Sequence, residues 1–267
     1  MAINQRPNFS KFDRAMFLDS SNLEEVKKWN DTGVIDGVTT NQLIMLKDGV
    51  KPKDYEKVIK VICKEMKGKP VSIELTDSTA SSDQMIKEAK RLGKLAENIV
   101  VKVPLIPDTT KSLYVINQLT KLNIAVNVTT MMTFEQMIMA TLALRDSKKL
   151  CFISLFWGRS EEDNVKYRSR FDYMVSRPRV GLDSKVNSSP DLITKATAEF
   201  LKKGGYGNVK IIVGSIRNAR MVGDDYAAGG HIVTITPEIL MSMLYSQRSI
   251  ETIAQFDEAW KELQKKK

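Results

Sequence analysis

Eight times along the chain a short apolar run rich in Val, Ile and Leu is followed by an amphipathic stretch. No other feature constrains the fold as tightly. The runs are residues 15–20 (AMFLDS), 37–40 (GVTT), 71–76 (VSIELT), 99–104 (IVVKVP), 124–130 (IAVNVTT), 150–156 (LCFISLF), 209–216 (VKIIVGSI) and 231–236 (HIVTIT). Helical patterns follow: one opens at Asn22, where an N-cap side chain precedes Glu24 and Glu25, and others cover 54–66 and 191–203. Strands that alternate with helices join in parallel through right-handed crossovers, and eight such units close a barrel. A doubly wound open sheet would carry GxGxxG after its first strand. None follows here, and the Gly204, Gly205, Tyr206, Gly207 cluster precedes a strand. The expected fold is therefore α/β, a single (β/α)8 TIM barrel over 1–267 with an additional C-terminal helix.

Three segments stand outside the repeat. Residues 1–14 form an N-terminal extension. Residues 160–190 read as a long polar loop after strand 6, with Tyr167, Phe171 and Tyr173 spaced as if part were helical. Residues 249–267 supply a further amphipathic helix with Ile253, Phe256 and Trp260 near one face, which must pack on its own barrel or on a neighbour's.

Composition narrows the chemistry. The 267 residues include one histidine, His231, and two cysteines, Cys63 and Cys151, far apart and without CxxC pairing. That leaves no His-rich or thiolate metal site, and both thiols are expected to be buried and inert. With no apolar run long enough to span a bilayer and no secretory leader, the expected compartment is the cytoplasm. Forty-one Lys and Arg against 32 Asp and Glu give a net charge of +9, enough to attract anions. The basic residues alternate with acids along helices, so nucleic acid is not the expected partner.

In a barrel of this type, chemistry belongs to the C-terminal ends of the strands. The polar residues there are Asp19, Thr39 with Asn41, Glu74, Lys102, Asn127 with Thr129, Ser154 with Arg159, and Ser215 with Arg217. Lys102 is the sharpest. Flanked by Val100, Val101, Val103 and Pro104, it sits on an apolar strand, where an ammonium is costly unless it points into the barrel mouth among polar partners. Burial penalises the charged amine, and a neutral amine attacks carbonyl carbon. The alternative is a structural cation paired with Glu74 or Asp19. Asn41 and Asn127 can hold the hydroxyls of a polyol, and Arg159, Ser215 and Arg217 can grip an anion. His231, at the start of strand 8, falls at the wrong end for chemistry.

The segments FLDSSNLEEVKK, DGVTTNQ, NIVVKVP, NVTT, ISLFWGR and GSIRNARMV, in that order, resemble the transaldolases, in particular the short subfamily that includes fructose-6-phosphate aldolases. The resemblance implies a Schiff-base enzyme whose reactive lysine is Lys102, with Asp19 as general acid/base and Glu74 and Thr129 handling a catalytic water. It assigns Thr39, Asn41, Asn127 and Ser154 to the substrate and enamine, and Arg159, Ser215 and Arg217 to the distal anionic group. Phe156 and Trp157 complete the expected substrate wall. No cofactor and no metal are implied, and the partners are anionic sugars. Glu74 and Phe156 stand where the aldolases carry Gln and Tyr, which favours transfer of a dihydroxyacetone unit over an aldolase that releases free dihydroxyacetone. Three departures lie near the mouth: Gln42 in place of the usual proline, Trp157 in place of a small apolar residue, and the long 160–190 segment. They direct attention to a ketose with a different terminal group, such as a sulfonate. Short members of the family form pentamers or decamers, with the last helix laid on an adjacent subunit.

Overall fold

Parallel strands pair in sequence order from β1 (Ala15–Asp19) through β2 (Gly37–Thr39), β3 (Val71–Glu74), β4 (Ile99–Pro104), β5 (Val126–Met131), β6 (Cys151–Phe156) and β7 (Val209–Gly214) to β8 (Ile232–Ile235). β8 returns to pair with β1, so the sheet has no edge. The structure is a computed structural model and describes residues 9–107, 109–168 and 185–265. Most of these strand residues are buried, because helices cover the outer face and side chains fill the inner one.

The covering helices are α1 (Leu23–Asp31), α2 (Gln42–Lys47), α3 (Tyr55–Glu65), α4 (Ser82–Gly93), α5 (Lys111–Lys121), α6 (Phe134–Leu144), α7 (Trp157–Arg168), α8 (Pro190–Gly204), α9 (Ala219–Ala228) and α10 (Pro237–Ser242), and a further helix, α11 (Gln247–Lys265), follows them. Asn22 caps α1 as expected, accepting from the backbone N–H groups of Glu24 and Glu25. Ser81 and Thr133 each build a capping box with the glutamine three residues on.

The barrel interior is apolar at its floor and polar at its mouth. Phe17, Val100, Phe152, Ile212 and Ile232 form the floor, sealed below by Phe12 and Ala15 and separate from the layer between strands and helices. Phe17 and Phe152 meet edge to face at 5.6 Å. Gly37 lies in register with Phe17, and a Cβ there would come within 2.5 Å of the phenyl ring. A glycine on β2 is what lets a phenylalanine occupy β1.

Three details refine the expected outline. Between strand 2 and the helix at 54–66 the chain forms the six-residue α2, capped by Asn41. The helical part expected of the segment after strand 6 is its start: α7 opens at Trp157, directly after β6, and runs to Arg168. The rest of 160–190, including Phe171 and Tyr173, lies largely outside the described residues, as do residues 1–8 of the N-terminal extension and Lys266 and Lys267. The terminal helix begins at Gln247 and buries none of its residues, so it does not pack on its own barrel.

Cys63 and Cys151 are buried and free, and burial pushes the Cys63 thiol up to about 12 and raises that of Cys151. His231 sits at the floor end, where its Nδ1 accepts from the Ile211 N–H. Burial and the nearby Lys210 push its pKa down to about 4, so the ring is neutral. Among the described residues, no helix is long and apolar enough to cross a membrane.

Candidate active site

Alternation along a strand puts every second side chain inside the barrel, and the positions above the phenylalanine floor are polar on nearly every strand. Parallel pairing sets Asp19 beside Thr39, Glu74 beside Lys102, and Lys102 beside Asn127, on one face of the sheet. Lys102 is 4% exposed. Its Nζ lies 3.2 Å from Glu74 Oε2 and donates to the Thr40 carbonyl at 3.2 Å. Val101 and Val103, its neighbours on the strand, face the opposite way into the apolar layer beneath the helices. The amine is thus aimed into the cup of the barrel by strand parity alone.

Asp19 receives a hydrogen bond from Thr39 Oγ1 at 2.7 Å. Burial raises its pKa above the usual carboxylate range; Lys102 and the Thr39 hydroxyl oppose the shift, while Asp48 and Glu74 add to it. A carboxyl displaced upward suits a group that takes a proton and later returns it near neutral pH. Asn127 donates to Ser72 Oγ at 3.3 Å, and its Oδ1 has no partner among the described residues. The same is true of Thr129 Oγ1 and Ser215 Oγ, which leaves hydrogen-bonding capacity in and around the site for a bound molecule.

A cavity of about 150 Å³ opens above these groups. Asp19, Lys102 and Asn127 lie in its wall with Arg159, Ser215 and Arg217. The Arg159 guanidinium stands 5.8 Å from the centre of the Phe156 ring, and Arg217 Nε donates to Glu162 at 2.8 Å. Ser215 is held at φ +61, a left-handed conformation rare outside glycine. Its carbonyl accepts from the N–H of Gly158 in the first turn of α7. A Cβ on Gly158 would overlap that carbonyl. Two arginines, a free hydroxyl and the start of a helix therefore converge at the end of β7, a frequent place for anion binding in this architecture.

The sequence model of the transaldolase/fructose-6-phosphate aldolase family matches residues 16–267. The chain belongs to this family. It is 32% identical over 250 residues to a probable transaldolase of Bacillus cereus, covering 94% of this chain and 99% of that one. With a probable transaldolase of Methanococcus maripaludis it shares 33% identity over 245 residues, covering 91% and 96%. A dihydrodipicolinate synthase from Rhodopseudomonas palustris superposes with a TM-score of 0.53 at 11% identity over 85% of this chain and 71% of that one, which speaks to the barrel alone. As a member of the transaldolase/fructose-6-phosphate aldolase family the chain is an enzyme of transaldolase type.

Of the residues expected from the sequence, Asp19, Thr39, Asn41, Lys102, Asn127, Ser154, Phe156, Arg159, Ser215 and Arg217 line one cavity of this transaldolase-type barrel. Glu74 joins them through Lys102. Thr129 is buried on β5 at a register shift between Val128 and Met131, with Thr130 at φ +65. Neither Thr129 nor Trp157 lines the cavity: Thr129 is fully buried, and Trp157 is 3% exposed and lies in the apolar layer between barrel and helices. The structure adds Leu43, Ile44, Gly214 and Thr234 to the lining. Of these, Thr234 was detectable as the polar residue of VTI on strand 8, in step with Phe17 of β1.

Proposed function

We propose that this enzyme transfers a dihydroxyacetone unit from an anionic ketose, fructose 6-phosphate or a 6-sulfo analogue, to an aldose acceptor such as glyceraldehyde 3-phosphate, through a Schiff base on Lys102. The observation that carries the reading is the buried Lys102 amine, 3.2 Å from a carboxylate and facing the same cavity as Asp19.

Lys102 attacks the ketose carbonyl carbon, and Glu74, at hydrogen-bond distance, takes and returns the proton as water leaves and the imine forms. Thr129 helps hold that water. Asp19 removes the proton of the C4 hydroxyl, the C3–C4 bond breaks, and an aldose departs while a three-carbon enamine stays on Lys102. The enamine then attacks the acceptor aldehyde, Asp19 returns its proton to the new alkoxide, and water releases the product ketose. The imine is itself the electron sink, so the reaction requires no cofactor. Asn41 keeps its amide N–H groups for the substrate because its Oδ1 is engaged with the Ile44 N–H. Arg159, Arg217 and Ser215 hold the distal anion, and a sulfonate offers them tetrahedral oxygens and a negative charge as a phosphate does.

Transfer is favoured over release of free dihydroxyacetone because Phe156, at the cavity wall, has no hydroxyl with which to position a quenching water or protonate the enamine. The test is a donor screen of 6-phospho and 6-sulfo ketoses, with products analysed with and without glyceraldehyde 3-phosphate. Ketose consumption that depends on the acceptor supports transfer. Equal consumption without it makes the enzyme an aldolase, and no consumption of any donor defeats the proposal.

The same reading places the enzyme in the cytoplasm as a homo-oligomer, a pentamer or decamer. Ile253, Phe256, Trp260 and Leu263, at helical spacing on α11, are between 58% and 68% exposed, a row of apolar side chains of the kind that marks an interaction surface. Their natural cover is an adjacent subunit. Light scattering on the intact protein and on a Phe256→Ser/Trp260→Ser variant should report an assembly that the variant loses; a monomeric wild-type protein would contradict it.

A further inference from the structure

Thr234 Oγ1, on β8, lies 2.5 Å from Thr39 Oγ1, which in turn donates to Asp19 Oδ1. We propose that Thr234 is a positioning residue for the aldol step, acting through Thr39 on the proton affinity of Asp19. The inference rests on the reading of Asp19 as the general acid/base.

A hydroxyl has one proton and two lone pairs. When Thr39 gives its proton to ionised Asp19, its own oxygen is left to accept from Thr234. The bonds then run Thr234 to Thr39 to Asp19 in one direction. Bonds aligned in this way polarise and strengthen one another, and donation to a carboxylate favours its charged form. When Asp19 holds the proton, rotation of the two hydroxyls lets the series run the other way, so the same three oxygens serve both protonation states through which Asp19 must pass.

The position is held rigidly. Thr234 is 6% exposed and stands in strand register with Phe17 of the floor. Gly214 on β7 leaves room for its methyl, since a Cβ there would lie 3.3 Å from Thr234 Cγ2. The charged groups facing Asp19 are Lys102 from β4, Glu74 from β3 and Asp48 from the end of α2. Substitution at position 234 leaves all three in place.

The experiment compares Thr234→Val, which keeps the shape and removes the hydroxyl, with Thr234→Ser, which keeps the hydroxyl. Carboxyl-labelled aspartates are titrated by carbon NMR, with Asp19→Asn assigning the Asp19 signal, and the pH profile of kcat/KM is recorded alongside. In the Val variant the Asp19 titration and the acidic limb of the profile should move to higher pH by about one unit. Its kcat should fall about tenfold with KM within twofold, and the Ser variant should match the wild type. An unmoved Asp19 titration in the Val variant, or a Ser variant that behaves like Val, would overturn the proposal. A titration that moves while turnover and its profile do not would leave the hydroxyl series intact and overturn the acid/base role of Asp19 instead.

Discussion

Replacing Glu74 by Gln removes the counter-charge of Lys102 while keeping an oxygen within reach, so it separates two things the carboxylate does. At 3.2 Å the two groups are 6% and 15% exposed, and unit charges at that distance attract by roughly 5 kcal/mol at an effective dielectric of ~20. Desolvation of the pair offsets part of that attraction, and the Thr40 carbonyl remains as an acceptor. Loss of one partner should therefore cost ~2–4 kcal/mol at neutral pH, below the ~3–5 kcal/mol of a buried pair left with no acceptor. The amide can accept from Lys102 but cannot carry its proton, so kcat should fall about 10²- to 10³-fold. Urea unfolding and steady-state transfer assays read the two effects separately. A Gln variant as stable as the wild type and equally active would refute the assignment of Glu74 as both partner and proton carrier.

Asp225 on α9 is fully buried, and among the described residues neither of its carboxyl oxygens has a hydrogen-bond partner; burial pushes its pKa up to about 8 against weaker opposition from Thr194 and Arg14. Because the folded pKa stands above the unfolded ~3.9, its contribution is fully present below pH ~4 and is lost as pH rises toward 8, up to ~5 kcal/mol in all. The difference in stability between wild type and Asp225→Asn should follow that curve, the variant gaining as pH rises; parallel curves would refute it. Gly158→Ala should destabilise by ~1–3 kcal/mol in thermal melts through its clash with the Ser215 carbonyl. It should also raise KM for a phosphorylated ketose at least tenfold. Arg217→Ala should raise KM for anionic ketoses by roughly 10- to 100-fold with kcat within a fewfold, and leave an uncharged ketose unaffected.

The eightfold alternation of apolar runs and amphipathic stretches was legible because each strand buries both faces, which writes short runs rich in Val, Ile and Leu into the chain. Lys102 was legible for the same reason in reverse: a charge in such a run stands out. α2 was not, because six residues carry barely two turns of periodicity, and its cap, Asn41, also belongs to the site. α7 was hidden by polarity, since its sequence, WGRSEEDNVKYR, carries few apolar residues and so little helical apolar period. Trp157 was misjudged as cavity wall because it follows a strand end. It is the first residue of α7, where the change from strand to helix geometry ends the alternation that brings Ser154 and Phe156 to the cavity. Thr234 was not legible as a site residue because strand 8 carries no motif, and its partner Thr39 is distant in sequence though adjacent in space.

The most direct measurement incubates the enzyme with fructose 6-phosphate or its 6-sulfo analogue, reduces with borohydride and maps the adduct by mass spectrometry. A three-carbon increment on Lys102, absent without donor and absent from an inactive but folded Lys102→Met variant, is the predicted result. An unmodified Lys102 under turnover, or a Met variant that still transfers, would contradict the account.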